Sequence, residues 1–198
     1  MTTILLATSN PGKVREIRPL LAGLSVDLKT LDEWPDLVVP EESGRTFAEN
    51  ARAKALYYAA RTGLLSVAED SGLEIAALDG APGVESARFG GAHTSYPEKF
   101  ALIYDALRKK HANESPARFV CALALAEPGA IIFEARGEVD GRIAPEPRGT
   151  GGFGYDPIFF YPPFGCTLAE AGDDRKATVS HRAKAFRTLR VFLKEGSS

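Results

Sequence analysis

Cysteine is scarce in this chain. The 198 residues contain two, Cys121 and Cys166. Their spacing fits neither a metal cage nor a disulfide framework, and Cys121 lies in an apolar run that suits a core residue. Long apolar stretches are absent too. None approaches the roughly 20 residues a membrane span needs, so no membrane partner is expected. The start, Met1-Thr2-Thr3-Ile4, has no charged region followed by an apolar segment, which makes the cytoplasm the expected location. Nor is there an excess of positive charge. The formal net charge is −2, which argues against a protein built to neutralise a nucleic-acid backbone. A pocket for one small anion is still compatible with it. With 44% hydrophobic and 25% charged residues, the composition is that of an ordinary globular chain. The length suffices for one sizeable core or two closely joined lobes.

The stretch around which the rest is organised is Val67-Ala68-Glu69-Asp70-Ser71-Gly72-Leu73. An apolar approach from Leu64 to Ala68 reads as a buried strand, and Leu73 to Leu78 resumes the apolar run. Between them stand two adjacent carboxylates, which are costly near a core unless a cation or a donor compensates them. Successive strand residues face opposite sides. One acid could therefore hold a metal ion while the other works as a base, or an irregular turn could bring both to one ion. Asp-Ser-Gly is also ordinary chemistry for a solvated turn.

Upstream, Thr3 to Ala7 reads as a short buried strand. Thr8, Ser9, Asn10, Pro11, Gly12 and Lys13 then form a loop entering a helix, whose apolar face is Val14, Ile17, Leu20, Leu21 and Leu24. Free N–H groups at a helix start favour a phosphate, and Lys13 adds a full charge. The Walker pattern is absent. Pro19 predicts that the helix bends or ends early. Leu24 to Val39 reads as a strand, a polar turn and a connector. Glu41-Glu42-Ser43-Gly44 is a turn. Thr46-Phe47-Ala48-Glu49 fits a capping box that opens a helix to about Thr62, with Gly63 as its stop. Asn50 and Lys54 fall on that helix's core-facing stripe and need partners there.

Downstream, Pro97 to Lys110 reads as a helix, and Ala117 to Ala126 as a fully buried strand. Glu127-Pro128-Gly129 turns into a strand from Ala130 to Val139, and Asp140 to Ile143 begins a loop or a further short strand. Gly149 to Pro157 holds four glycines around Phe153, Tyr155 and Asp156. Glycines let backbone approach a ligand, Phe153 suits stacking on a planar ring, and Asp156 suits its edge. The role of the Gly-rich loop Ser86 to Gly91 is open. Lys176, His181 and Arg182 surround the entry to the last helix, with Ser180 as its cap, and Arg182 lies on the buried stripe of Ala185, Phe186, Leu189 and Leu193.

Six segments together resemble one family. They are Thr8 to Lys13, Thr46 to Ala51, Ala68 to Leu73, Gly80 to Gly83, Gly151 to Pro157 and Ser180 to Arg182. In this order they are similar to the Ham1-like inosine triphosphate pyrophosphatases, and the match spans nearly the whole chain. The resemblance implies an elongated α/β fold over a single domain, 1–198. A long mixed central β-sheet is flanked by helices in two lobes, with the active cleft between them. It implies a homodimer that hydrolyses ITP, dITP and XTP, with Mg²⁺, to the monophosphate and pyrophosphate, so that these nucleotides stay out of DNA and RNA. Asp70 corresponds to the catalytic acid that accepts a proton from water. Glu42, Glu69 and Asp70 correspond to metal positions. Thr8 to Lys13 corresponds to the phosphate loop, Ser71 to a substrate contact, and Phe153, Gly154, Tyr155, Asp156, Lys176, His181 and Arg182 to the base pocket. Glu69 is often Asp in the family, Ser9 often Gly, and Ser43 often Thr.

The chemistry agrees with the residues. Mg²⁺, Lys13, Lys54 and a helix start would neutralise a triphosphate. A donor at O6 and an acceptor at N1–H would reject adenine by leaving buried groups unpaired. Two other readings compete: a Maf-like nucleotide pyrophosphatase, and a nucleotide-binding regulatory protein without turnover. The Ser180-His181-Arg182 entry and the Phe153 to Asp156 segment favour the first family over Maf. Two adjacent acids beside a triphosphate would serve a pure binder poorly.

Overall fold

The apolar runs condense into alternating strands and helices. The computed structural model describes residues 2–112 and 114–195. β1 (Thr2–Leu6) leads into α1 (Pro11–Leu21), and β2 (Val26–Thr30) lies parallel to β1 with Leu28 opposite Ile4. α2 (Phe47–Thr62) feeds β3 (Leu65–Ile75), which flanks β1 in parallel on its other edge, Ser66 opposite Leu5. After α3 (Tyr96–Lys109) come β4 (Pro116–Glu127) and β5 (Ala130–Ile143), then β6 (Phe159–Tyr161) and β7 (Cys166–Thr167). α4 (Leu168–Ala171), α5 (Asp173–Val179) and α6 (His181–Glu195) close the described chain. The strands form one sheet in the order β2-β1-β3-β4-β5-β6-β7. It is mixed, parallel across β2-β1-β3 and antiparallel across β5-β6-β7. The fold is therefore α/β, as the resemblance implied.

Local chemistry accounts for the element ends. Thr46 caps α2 by accepting from Glu49 N at 3.1 Å, and Glu49 reaches back to Thr46 N at 3.2 Å, a closed capping box. Gly63 ends the helix with φ of 71°, a left-handed step that costs glycine little. α1 stops at Leu21, short of Leu24, with Pro19 in its last turn. A proline there removes one hydrogen bond near a helix end that has few left to lose.

Two expectations are corrected. A turn at Asp70-Ser71-Gly72 was one of the readings left open, but β3 runs on through both acids to Ile75. Gly72 serves close packing instead. A Cβ there would lie 2.4 Å from Ser86 Oγ and 2.5 Å from the Gly83 carbonyl oxygen, and the next amide, Leu73 N, donates to Ser86 Oγ at 2.9 Å. Asp140 to Ile143 is no separate element, since β5 continues through it.

Contacts divide the chain into two compact units. One comprises Met1–Asp70, Cys121–Gly137 and His181–Ser198, and the other Ser71–Val120 and Glu138–Ser180. The first has a core of Ile4, Leu6 and Val67 from the strands, Ile17 and Leu21 from α1, Leu123 and Leu125 from β4, and Phe186 and Leu189 from α6. The second has a core of Leu73, Ile75, Phe100, Ile103, Phe119, Val139, Ile143, Tyr155 and Phe159. Phe119 and Phe159 stack there with centroids 4.4 Å apart.

In the first unit, β5 passes beneath the start of α6 at Gly137. A Cβ there would lie 2.0 Å from the His181 carbonyl oxygen and 2.8 Å from Ala185 N, both backbone atoms. Gly137→Ala is therefore expected to cost about 1–3 kcal/mol through overpacking. The measurement is the urea midpoint at unchanged m-value. An unchanged midpoint would show that α6 can shift to make room.

Candidate active site

Alternation along β3 sends Glu69 and Asp70 to different neighbours within the first unit. Asp70 is 5% exposed. Its Oδ2 accepts from Asn50 Nδ2 at 2.9 Å, and its Oδ1 lies 3.7 Å from Lys54 Nζ. Asn50 is held from its other end, where Oδ1 accepts from Gly44 N at 2.8 Å. The Lys54 ammonium also forms a short ion pair with Glu42. Both polar residues on the α2 stripe thus find partners. Burial pushes the Asp70 carboxyl up, and Lys54 and Asn50 offset only part of that rise. Burial pulls the Lys54 ammonium down, but Asp70 and Glu42 outweigh it and hold its pKa above the usual lysine value.

Glu69 has a different environment. It is 2% exposed. Its Oε1 lies 2.7 Å from Lys13 Nζ and 3.2 Å from Arg182 Nη2, and its Oε2 accepts from Cys121 Sγ at 3.2 Å. Arg182 reaches on through Nη1 to Glu16 Oε2 at 2.6 Å. Burial acts against the charged form, yet Arg182 and Lys13 overcome it and hold the Glu69 carboxyl well below its usual range. The same arrangement raises the Arg182 guanidinium, and burial beside Glu69 pushes the Cys121 thiol well up. Cys121 is thus a protonated core donor.

The loop before α1 differs from expectation in one respect. Its N–H groups were expected to await a phosphate, but Asn10 Oδ1 accepts from Gly12 N at 2.9 Å and Lys13 N at 3.2 Å. Thr8 Oγ1 accepts from Asn10 N at 3.2 Å. The helix start is capped by its own sequence, with Pro11 in the first turn. The positive charge offered here is that of Lys13.

The second unit assembles the aromatic loop. Asp156 is buried, and its Oδ2 accepts from Phe153 N at 2.8 Å and forms a short ion pair with buried Lys176. The Lys176 ammonium stands 4.7 Å from the centroid of half-buried Phe153. Gly152 and Gly154 take φ of 67° and 68°, and a Cβ at Gly152 would strike Asp156 Oδ2 at 2.1 Å. Tyr155 is buried, and its hydroxyl donates to the Ser86 carbonyl oxygen at 2.8 Å. This ties the aromatic loop to Ser86, the first residue of the Ser86 to Gly91 segment. Ser71, one step past Asp70 on β3, is partly exposed. In the first unit, buried His181 opens α6 next to Arg182.

Oxygen donors for a hard cation are present in the first unit. Glu42 and Asp70 both face one ammonium, that of Lys54, so two carboxylates already converge on a single positive centre. That donor set fits Mg²⁺. Glu69 was grouped with the metal positions, but its oxygens are engaged by Lys13, Arg182 and Cys121. Among the described residues no three His, Cys, Asp or Glu side chains gather as a cage. Sequence reading gave no site role to Asn50, Glu16 or Cys121. Asn50 had a legible signal, an amide on a core-facing stripe. Glu16 had only its three-residue spacing from Lys13.

Known proteins similar to this chain match it over nearly its whole length. Residues 4–192 match the model of the Ham1 family. A dITP/XTP pyrophosphatase of Thermus thermophilus is 48% identical over 193 residues, covering 98% of this chain and 92% of that protein. One from Geobacter sulfurreducens is 45% identical over 193 residues, covering 98% and 97%. The structure of a Ham1 protein from Coxiella burnetii superposes with a TM-score of 0.91 at 40% identity, covering 98% of this chain and all of that one.

The buried Glu69 cluster makes stability depend on pH. The folded-state pKa of Glu69 is lower than the unfolded one. Its contribution is therefore full above the unfolded carboxylate range near about pH 4, and is lost as pH falls through the folded value. Glu69→Gln removes the carboxylate from Lys13 and leaves Arg182 with Glu16, and is expected to cost about 3 kcal/mol at neutral pH. It should also flatten the acid limb of the stability curve. Urea melts of both proteins between neutral and acidic pH check this, and parallel curves would remove Glu69 as the acid-sensitive group.

Proposed function

Because the chain belongs to the Ham1 family, we propose that it hydrolyses non-canonical purine nucleoside triphosphates, dITP, XTP and ITP, to the monophosphate and pyrophosphate. The observation that carries the reading is Asp70, buried on β3, aimed by Asn50 and standing beside Lys54 and Glu42. A carboxylate with raised proton affinity, fixed by one amide, is suited to take a proton from water. Attack by that water breaks the bridge between the α- and β-phosphates. The proton passes to Asp70, and the electron pair leaves with the departing phosphate group.

Lys13 and Lys54 are proposed to exchange their carboxylate partners for phosphate oxygens when the nucleotide arrives. Thr8, Ser9, Asn10, Pro11 and Gly12 shape the loop that presents Lys13, and Ser71 is assigned a substrate contact on β3. Mg²⁺ would be held by Glu42 and Asp70, where it would neutralise phosphate charge and stabilise the pyrophosphate leaving group. Glu69 acts at one remove, by holding Lys13 and Arg182. Phe153 is proposed to stack on the purine, with Gly154 allowing its close approach. Asp156 is assigned to N1–H, and Lys176, His181 and Arg182 to the O6 side. Tyr155 positions the loop. The homodimer and the cytoplasmic setting implied by the resemblance belong to the same proposal.

Asp70→Asn keeps the side-chain size and removes both the charge and the proton acceptor. It is expected to lower kcat at least about 10²-fold while nucleotide still binds. Glu42→Gln should regain part of its lost activity as Mg²⁺ is raised, whereas Glu69→Gln should not, because its partners are cationic side chains. Pyrophosphate release across a Mg²⁺ titration and a nucleotide panel reads all three variants. Near-normal turnover in Asp70→Asn would overturn the mechanism.

The aromatic loop makes a separate claim. Phe153→Ala should raise KM for ITP with little change in melting temperature. A folded variant with unchanged KM would remove Phe153 from the base pocket.

A further inference from the structure

Beside the aromatic loop of the second unit stands a phenol to which the reading above gives no role. Tyr96 opens α3 and is half-buried. Its hydroxyl neighbours Gly154, where a Cβ would lie 3.6 Å away in ordinary contact. Three neighbours fix the ring. Tyr155 meets it edge-on with centroids 5.3 Å apart, Phe100 lies tilted at 6.3 Å, and Lys99 Nζ sits 4.8 Å from its centroid. Two of these are themselves anchored, Tyr155 to the Ser86 carbonyl and Lys99 to the Ala87 carbonyl at 2.5 Å. The hydroxyl therefore sits on a rigid support. Among the described residues it has no hydrogen-bond partner. Burial and the nearby Asp156 carboxylate raise its pKa, so it remains a donor.

Lys99 adds a second observation. It is 3% exposed, yet its ammonium meets only a carbonyl oxygen and a ring face, with no carboxylate among the described residues. A buried cation without a counter-charge is costly, and burial pulls its pKa down. A ligand carrying negative charge near Tyr96 would reduce that cost.

The remaining step rests on the assignment of Phe153, Asp156 and Lys176 to the base. Along its pairing edge a 6-keto purine presents O6, then N1–H, then position 2. Lys176 supplies a donor for the first and Asp156 an acceptor for the second. Lys176 holds Asp156 by Oδ2, the oxygen that faces Gly152, whereas Tyr96 comes in on the Gly154 side. The order Lys176, Asp156, Tyr96 thus parallels O6, N1, position 2. We propose that Tyr96 is a specificity-determining residue that donates a hydrogen bond to the 2-keto oxygen of xanthine, a group hypoxanthine lacks. Xanthine loses a ring proton readily and spreads negative charge onto that oxygen, which the Lys99 ammonium behind the Tyr96 ring complements.

Tyr96→Phe tests this, since it keeps the ring and its packing and deletes the hydroxyl. The measurement is kcat/KM for XTP and for ITP in both proteins, with calorimetric binding of XMP and IMP as a second reading independent of turnover. The expected result is a fall of about tenfold in the XTP-to-ITP ratio, matched in the XMP-to-IMP affinities. Equal losses for both bases, or an unchanged ratio, overturn the proposal while the base-pocket assignment stands. A parent enzyme that turns over neither nucleotide overturns that assignment, and the proposal with it.

Discussion

The first unit depends on one buried carboxylate. Glu69 has almost no access to water, and an isolated anion there would be prohibitively costly. Lys13 from α1 and Arg182 from α6 offset that cost at Oε1, and Cys121 from β4 donates to Oε2. Four elements are tied at one point. Glu16 then meets the far side of Arg182, so the guanidinium stands between two acids. Such clusters lend geometric definition more than net stability, because desolvation cancels much of the attraction. Here the definition has a direct use. With Glu69 fixed on one side of β3, the pleat turns Asp70 toward Asn50 and Lys54.

Much of this was legible from residue order. Most readings with local determinants held. The capping box at Thr46 and Glu49 needs only four consecutive residues, and the stop at Gly63 only one. The buried run at Phe119 to Leu125 announces a central strand by composition alone. The aromatic loop was recognisable from its glycines, and the Asp156–Lys176 pair joins two residues already singled out. The family resemblance rested on the same short segments.

What was not legible depends on partners far away in sequence. Glu69 and Arg182 are 113 positions apart, and Glu16 and Arg182 are 166 apart. No local pattern shows that the acid beside Asp70 will be claimed by two cations. Gly72 looked like turn chemistry because its reason, the approach of Ser86 and Gly83, lies outside its own segment. Tyr155 looked like a ligand contact because its neighbours do, and only the Ser86 carbonyl shows that it faces inward. Asn10 could have been read correctly. An asparagine directly before Pro-Gly at a helix start is a capping residue first, and its side chain takes the amides that a phosphate would otherwise find.

The two adjacent acids also separate by proton affinity. Glu69 and Asp70 share a strand, and both are buried, yet their pKa values move in opposite directions. Arg182 and Lys13 drive Glu69 down, whereas burial keeps Asp70 up against the opposition of Lys54 and Asn50. Neighbouring carboxylates whose environments push them apart have different chemical tasks. A carboxyl held far below its normal range is a poor proton acceptor and a good fixed charge. One held above it is the better base. The cations that make Glu69 a fixed charge thus leave Asp70 as the carboxyl of the pair suited to take a proton, the role proposed for it.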